Sequence, residues 1–257
     1  MADAWQALLD DIEAESRVLQ DALSKLPDDA WDRPSPAEGW LLRDCVVHLA
    51  ETDDSAVASV TGEPAAPRGE RQGVLTPGMV AGRARPPAEL VAWYTASNAR
   101  MLEELRKLKG DERLPWAGRP MGARSFATAR LMEHWSHGLD ILDAAGIAPV
   151  DTDRLRNIAH LGYMTRDYAY STHGMEPPIT TLYLELTSPS GATWTWGSPD
   201  APDRITGPAG DFCRVVTQRI HPDDTALHAE GLHAREFLSI AQAFAGPPGS
   251  GRPPKGA

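Results

Sequence analysis

One short segment in the middle of the chain, RLMEHWSHGLDI, combines an apolar helical pattern with three ionisable side chains. Glu133 and His137 are four residues apart, and Asp140 follows three residues later. At 3.6 residues per turn, these side chains leave a helix on one face. A carboxylate and an imidazole on one face either form a salt bridge or converge on a bound group such as a metal ion. Taken alone, this spacing is common, and a salt bridge or a hydrogen-bonded core histidine is the simpler interpretation.

A second histidine lies in another helical segment, RDCVVHLAE. His48 shares its face with mostly small or apolar residues: Leu41, Cys45, Thr52 and Ser55. Two helices of one bundle that each present an inward imidazole, one of them with a carboxylate, could provide three ligands for a divalent cation. Such a set of two histidines and one glutamate leaves a coordination position open, which is typical of catalytic zinc, because structural zinc sites use all four positions.

Zinc is the preferred ion for this ligand set, because the sequence indicates no second metal site and no residues for handling oxygen. The same ligands suit Fe(II), and iron or nickel remains an alternative. Asp44 precedes His48 by one turn, and Asp140 follows His137 by three residues. Each aspartate could accept a hydrogen bond from a ring N–H and so fix the tautomer that binds metal. The alternative for both is an ordinary surface charge on a helix.

The composition is that of a globular protein without a nucleic-acid or membrane surface. Of the 257 residues, 42% are hydrophobic and 24% are charged, which is ordinary for a globular domain. The net charge of −11 disfavours binding to nucleic acid or to an anionic membrane. Cys45 and Cys213 form no C-x-x-C pair, and the N-terminus has no signal-peptide pattern, so we expect a cytoplasmic protein. No apolar run is long enough to span a bilayer.

Helical periodicity organises the first part of the chain. It predicts four helices, at about Trp5–Leu26, Trp40–Val60, Pro87–Leu108 and Ser125–Ala145. Pro27 should end the first helix, and Ser35 with Glu38 resembles a capping box before the second. A long segment rich in Pro, Gly and Arg separates the second helix from the third. Four helices with one long connection are typical of a helical bundle.

The hydrophobic pattern changes from helical periodicity to strand-like alternation after a further predicted helix at Asp151–Thr172. TTLYLELTSPSGATWTWGS alternates like a β-hairpin with a Pro-Ser-Gly turn, and GPAGDFCRVVTQRI and LHAREFLSIAQAFAG read as helices. The sequence therefore predicts an α+β protein with a bundle over residues 1–148, a smaller α/β domain over 149–246 and a disordered tail over 247–257.

Two segments together, SPAEGWLLRDCVVHLAETD and RLMEHWSHGLDI, resemble the mycothiol-dependent maleylpyruvate isomerase family of the DinB-like four-helix-bundle superfamily. That family has Gly-Trp before Asp-x-x-x-His-Leu on the second helix and Glu-x-x-x-His on the fourth. The resemblance implies that His48, Glu133 and His137 are the metal ligands. It covers nearly the whole chain and also implies a smaller α/β domain of sterol-carrier-like topology. The long loop and the TWTWGSPDAPDRITGPAGDF stretch indicate an uncharacterised actinobacterial-type branch of the family.

The segment TGPAGDFCRVVTQRIHP resembles the part of the isomerases that ends in a functionally important arginine, which corresponds here to Arg219. The resemblance implies that Arg219 anchors a substrate or cofactor carboxylate near the metal, in a pocket between the two domains. The alternative for Arg219 is an ordinary cation at a helix end. In that case the cation would be sought among Arg119, Arg124 and Arg130.

The function expected from this resemblance is thiol-dependent chemistry on a small electrophilic organic acid. Zinc would bind a low-molecular-weight thiol such as mycothiol as its thiolate, and isomerisation or S-transfer would follow. A thiol-independent hydrolase or lyase and a non-catalytic metal or small-ligand binder are the alternatives. We expect a small-molecule substrate and a monomer or homodimer. The sequence lacks the G-x-S-x-G and phosphate-binding glycine motifs of other enzyme classes.

Overall fold

This computed structural model describes residues 2–63, 75–116, 119–249 and 251–256. The chain divides into two compact units, Met1–Pro149 and Val150–Ala257. The described residues are mainly helical and contain two small sheets, which confirms the predicted α+β class. The domain boundaries expected at residues 148 and 246 stay predictions.

Four long helices form the N-terminal unit, as the periodicity predicts. They are α1 (Ala2–Leu23), α2 (Leu42–Thr61), α4 (Pro87–Arg106) and α5 (Ala123–Ala145). Helix α2 packs against α4 and α5, and α1 packs against α5 and α4. The short helix α3 (Pro77–Gly82) and the antiparallel strands β1 (Arg113–Trp116) and β2 (Arg119–Gly122) complete this unit. Its core contains the buried side chains Leu9, Ile12, Trp31, Leu49, Tyr94, Leu105, Phe126 and Ile141.

The first helix ends earlier than predicted. Helix α1 stops at Leu23, and a 3-10 turn over Asp28–Asp32 follows Pro27. Proline disfavours the helical conformation of the residue before it, so the chain leaves the helix ahead of Pro27. The 3-10 turn buries Trp31 against the bundle.

The predicted capping box of Ser35 and Glu38 is wrong. Ser35 Oγ instead accepts a hydrogen bond from the backbone N–H two residues later, at 3.0 Å. Helix α2 begins only at Leu42, and Asp44 Oδ2 accepts the backbone N–H of Leu41 at 2.8 Å. The acidic side chain that satisfies the first turn therefore lies inside the helix, where its charge also suits the helix dipole.

Part of the long connection after α2 is structured. Helix α3 lies against α2, and a Cβ atom on Gly78 would come within 1.6 Å of Glu51 Oε1. A larger residue at this position would therefore displace the end of the Glu51 side chain, which accepts a hydrogen bond from Thr76 Oγ1 at 2.8 Å. Residues 64–74, which the sequence assigns to the same loop, lie outside the described residues.

The C-terminal unit combines four helices with a four-stranded sheet among its described residues. The helices are α6 (Leu155–Met164), α7 (Arg166–Thr172), α8 (Ala209–Val216) and α9 (Leu232–Ile240). The strands are β3 (Leu182–Thr187), β4 (Thr193–Trp196), β5 (Asp203–Pro208) and β6 (His228–Glu230). Their order in the sheet is β4-β3-β5-β6, with β3 parallel to β5 and the outer pairs antiparallel.

Two predictions for this unit have different outcomes. The hairpin is confirmed, because β3 and β4 pair antiparallel with Leu186 opposite Trp194. The single helix predicted over residues 151–172 is instead two helices that meet at Thr165. Thr165 Oγ1 donates a hydrogen bond to Leu161 O at 2.9 Å, a bond of the kind that bends helices.

Backbone contacts hold the described part of the predicted tail. Gly249 N–H donates to Gln242 Oε1 at 3.4 Å, and Lys255 N–H donates to Asp224 Oδ2 at 2.9 Å. These residues form neither helix nor strand. The composition does not predict the two contacts, and the disorder of residues 247–257 stays a prediction.

Candidate metal centre

Helices α2 and α5 bring together the three side chains that the sequence selects as metal ligands. His48 Nε2 lies 3.1 Å from Glu133 Oε2, and His137 Nε2 lies 3.5 Å from the same oxygen. The three candidate ligand atoms all lie within 4.8 Å of one another. Because His48 is 85 residues from Glu133, only the packing of the two helices creates this arrangement.

The distances suit a single bound cation. Zinc lies about 2.0–2.2 Å from nitrogen or oxygen ligands, so two ligands of a tetrahedral site are separated by about 3.2–3.6 Å. The separations of 3.1 and 3.5 Å around Glu133 Oε2 are close to that range. The side chains of His48, Glu133 and His137 keep 22%, 21% and 12% of their surface exposed, so a small molecule can approach a cation held there.

The protonation of His48 and Glu133 also favours a cation. Burial and the neighbouring His137 lower the pKa of His48 to about 4, although the hydrogen bond that His48 donates to Glu133 opposes this shift. Burial alone would raise the pKa of Glu133, but the hydrogen bonds from His137 and His48 hold that pKa well below its usual range. At neutral pH the site therefore contains a neutral His48 imidazole and a Glu133 carboxylate, which are the forms that bind metals.

Asp140 orients His137. Its Oδ2 lies 3.1 Å from His137 Nδ1, and the carboxylate is 1% exposed. An N–H at Nδ1 that donates to Asp140 would leave Nε2 with its lone pair for a cation, in place of the Nε2–H that contacts Glu133 when no cation is bound. A buried carboxylate behind a histidine ligand fixes the tautomer and raises the basicity of the ring, and this role of Asp140 stays a prediction.

Asp44 does not orient His48, and the expectation for it is wrong. Its carboxylate accepts hydrogen bonds from Leu41 N–H, at 2.8 Å, and from Arg83 Nε, at 3.1 Å. The side chain is completely buried in this ion pair. Arg83 follows α3 and is 39 residues away in sequence, so the local spacing of Asp44 and His48 carries no information about this partner.

Trp40 covers the two imidazoles. Its ring stacks on His137, with centroids 5.5 Å apart and planes at 18°, and it lies 5.2 Å from the His48 ring. The indole Nε1 is buried, and none of the described residues accepts a hydrogen bond from it. Because a buried indole N–H usually has an acceptor, this donor fits a site that receives an anionic or polar ligand.

A second group of possible ligands overlaps with the first. Cys45 Sγ, His137 and Asp140 also have ligand atoms within 4.8 Å of one another. The Cys45 thiol is fully buried and donates to Ser35 Oγ at 3.4 Å. The group containing Glu133 is the better candidate, because it is partly exposed and leaves Asp140 free to orient His137.

A buried polar network next to this centre has no counterpart in the sequence analysis. His134 Nε2 lies 3.0 Å from Asp53 Oδ1, and His134 Nδ1 lies 3.0 Å from Tyr94 Oη. Asn98 Nδ2 donates to Asp53 Oδ2 at 3.3 Å. Arg130 Nε lies 3.5 Å from Asp53 Oδ1. All five residues are at least 97% buried. The sequence feature that could have indicated this network is the presence of Asp53 and His134 on helical faces that are otherwise apolar.

Arg130 connects this network to the metal centre. Its Nη2 donates to Thr52 Oγ1 at 2.9 Å, and Thr52 Oγ1 in turn donates to the backbone oxygen of His48 at 2.7 Å. The charge of Arg130 contributes to the low pKa of His48. Of the three alternative cations, Arg130 is therefore the one with a described link to a candidate ligand.

Arg219 lies in the C-terminal unit, just after α8. It follows Gln218, whose φ is +58°, and its Nη1 donates to Thr217 O at 2.6 Å. The approach of Arg219 to the metal centre, and the pocket expected between the two units, stay predictions.

No helix among the described residues has the length and apolarity needed to cross a membrane.

Comparisons with known proteins give a matching family model, two relatives and two solved structures of similar fold. A family model described as the mycothiol maleylpyruvate isomerase N-terminal domain matches residues 12–142. The uncharacterised Mycobacterium tuberculosis proteins MT0041 and Rv0036c are 44% identical over 248 residues, which cover 94% of this chain and 96% of each relative. Crystal structures of the mycothiol-dependent maleylpyruvate isomerase and of a histidine-to-alanine mutant superpose with a TM-score of 0.58 at 19% identity, covering 87% of this chain and 92% of theirs. That structural likeness concerns the fold.

Proposed function

The chain belongs to the mycothiol maleylpyruvate isomerase family, and we propose that it is an enzyme that binds a divalent metal, preferably zinc, through His48, Glu133 and His137. Its second reactant would be a low-molecular-weight thiol such as mycothiol, and its substrate a small electrophilic organic acid. The observation that carries this proposal is the convergence of two imidazoles on one carboxylate oxygen, at 3.1 and 3.5 Å, in a partly exposed site.

The three side chains would hold the cation, and neighbouring residues keep these side chains in place. A bound divalent cation would supply positive charge that stabilises a thiolate at neutral pH. Asp140 keeps the Nδ1 proton of His137, so Nε2 stays available as a ligand atom. Trp40 covers one side of both rings and limits access of water. Its buried N–H, which no described residue accepts, suits hydrogen bonding to an anionic reactant.

The chemistry follows from attack by sulfur on an activated double bond. The thiolate adds to one carbon, and the electron pair of the double bond moves towards the acid's carbonyl group. Rotation about the resulting single bond and loss of the thiolate give the geometric isomer. Protonation of the carbon gives an S-conjugate instead. Arg219, through its planar guanidinium, would bind a carboxylate of the acid with two hydrogen bonds.

A direct assay separates this proposal from its alternatives. Metal-loaded protein is incubated with maleylpyruvate, with and without mycothiol, and formation of the trans isomer is followed. A parallel reaction with 1-chloro-2,4-dinitrobenzene tests S-transfer to a generic electrophile. We expect turnover that requires the thiol and is lost in His137→Ala. Turnover without thiol would indicate a hydrolase or lyase, and metal binding without turnover in any arm would indicate a binding protein.

The proposal also covers the cellular compartment and the oligomeric state of the protein. We infer a cytoplasmic protein with a small-molecule substrate, acting as a monomer or homodimer. Both cysteines are free and buried, which agrees with a reducing compartment. Fractionation of cells and light scattering of the purified protein test these two points.

A further inference from the structure

The C-terminal unit buries an arginine that has no counter-ion among the described residues. Arg166 begins α7 and is only 8% exposed. Its Nη1 donates to Thr180 O at 2.7 Å. Its Nε and Nη2 are buried without an acceptor. Because a buried charge needs a partner, an acceptor for this guanidinium is missing from the part of the chain that the structure describes.

The acidic groups nearby are already engaged. Asp203 accepts Thr180 Oγ1 at 2.6 Å through Oδ2, and it accepts the backbone N–H of His233 at 3.0 Å through Oδ1. Glu236 accepts the hydroxyl of Tyr170 at 2.9 Å. These two carboxylates organise the start of α9 and the Tyr170 hydroxyl, and neither accepts a hydrogen bond from Arg166 Nε or Nη2.

Arg166 also lines an open cavity of about 280 Å³ that lies within this unit. Thr180 and Thr181 provide hydroxyl groups, and Met164 and Ile179 provide apolar surface. Both apolar residues are strongly exposed, at 63% and 102%. The cavity therefore combines a largely buried cation with hydroxyl groups and some apolar surface.

We propose that this cavity binds a small monocarboxylate with a short apolar body, whose carboxylate provides the missing counter-ion of Arg166. Arg166 is the only cation among the nine residues that line the cavity, and Asp167 is the only acid. A phosphate dianion would bring a second negative charge that no lining cation matches, close to the Asp167 carboxylate, whereas a monoanion matches the single guanidinium. The planar guanidinium matches a carboxylate with two parallel hydrogen bonds. Because Nε and Nη2 are buried, binding requires a small displacement of the Arg166 side chain towards the cavity.

This site is independent of the proposed metal centre, and its test uses the full-length, metal-loaded protein. Binding of 4-(trifluoromethyl)benzoate is measured by ¹⁹F NMR, with 4-(trifluoromethyl)benzamide as the uncharged analogue of the same shape. We expect saturable binding of the benzoate and at least tenfold weaker binding of the benzamide. Arg166→Met should weaken benzoate binding at least tenfold. Arg235→Met removes a charge from an exposed position of the same unit and should leave binding unchanged.

Two further variants keep the test decisive. Thr181→Trp fills the cavity from an exposed position and should block binding even if Arg166→Met does not fold. His137→Ala should bind the benzoate normally, because the metal centre is not involved. Equal binding by wild type and Arg166→Met, equal affinity for benzamide, no binding by wild type, or loss of binding in His137→Ala would each overturn the proposal.

Discussion

Asp140 Oδ2 lies 3.1 Å from His137 Nδ1, inside helix α5 and almost completely buried. The opposite ring nitrogen of His137 faces Glu133. With a cation bound, this carboxylate would keep the proton of His137 on Nδ1, and the proposed metal centre depends on that choice. The relationship joins residues three positions apart and makes Asp140 the most direct test of how the ligands are held.

Asp140→Asn should weaken metal binding about 10- to 100-fold, because the amide is a poorer acceptor for the Nδ1 proton and lowers the basicity of the ring. Metal affinity is measured by competition with a chromophoric chelator. The matched control is Asp44→Asn, which loosens the buried contact with Arg83 and should lower stability while leaving metal affinity unchanged. If both variants lose metal equally, Asp140 acts through the fold and not through His137.

Removing any ligand should remove the metal. Purified protein should contain about one divalent ion per chain, and His48→Ala, Glu133→Ala and His137→Ala should each deplete it, as measured by elemental analysis. The apolar core of the bundle remains, so we expect these variants to stay folded and to lose only the stabilisation that added metal provides. His228→Ala changes a histidine that is 71% exposed and should keep the metal. Full occupancy in His137→Ala would refute the assignment.

The low pKa of His48 makes the metal-free protein sensitive to acid. The unfolded chain takes up a proton at His48 below pH of about 6.5, whereas the folded chain does so only near pH 4. The contribution of neutral His48 to the free energy of unfolding is therefore fully present above pH of about 6.5 and is lost as the pH decreases towards 4. The loss is on the order of 3 kcal/mol. Urea unfolding at several pH values should show a smaller decrease of the unfolding free energy towards acid pH in His48→Asn than in the wild type. An equal pH dependence in the two proteins would contradict this role of His48.

Arg219→Ala should leave the fold and the metal content unchanged and reduce turnover of an anionic substrate at least tenfold. A charged hydrogen bond contributes about 1.5–3 kcal/mol, which corresponds to a loss of this size. Arg219→Lys should recover only part of the rate, because lysine lacks the planar fork. Steady-state kinetics with maleylpyruvate provide the measurement. Normal turnover in Arg219→Ala would exclude Arg219, and Arg130 would be tested next among Arg119, Arg124 and Arg130.

The buried network around Asp53 should be expensive to disrupt. Asp53→Ala leaves Arg130 and His134 buried without their carboxylate, and breaking a buried charged pair typically costs about 3–5 kcal/mol. Denaturant unfolding is the measurement. Asp54→Ala, which removes the acceptor of the Trp93 indole at the neighbouring position, is the control and should cost less. A smaller effect for Asp53→Ala would show that the network does not hold α2, α4 and α5 together.

Relationships within one helix were accessible from the sequence. Glu133, His137 and Asp140 share a face because an α-helix repeats every 3.6 residues, whatever it packs against. The same periodicity predicted four long helices, and the alternation of the later segment predicted the β3–β4 hairpin. Errors occurred at helix ends, such as the start of α2, where side chains compete for a few unpaired backbone groups.

Partners distant in the sequence were decided by tertiary structure alone. Asp44 has the right spacing to reach His48, yet its carboxylate pairs with Arg83, 39 residues away. His134 adjoins a proposed ligand, yet it turns to Asp53, 81 residues away, inside the bundle. Periodicity specifies the direction in which a side chain leaves its own helix. It carries no information on which group of another helix meets that side chain, because this depends on how α2, α4 and α5 pack.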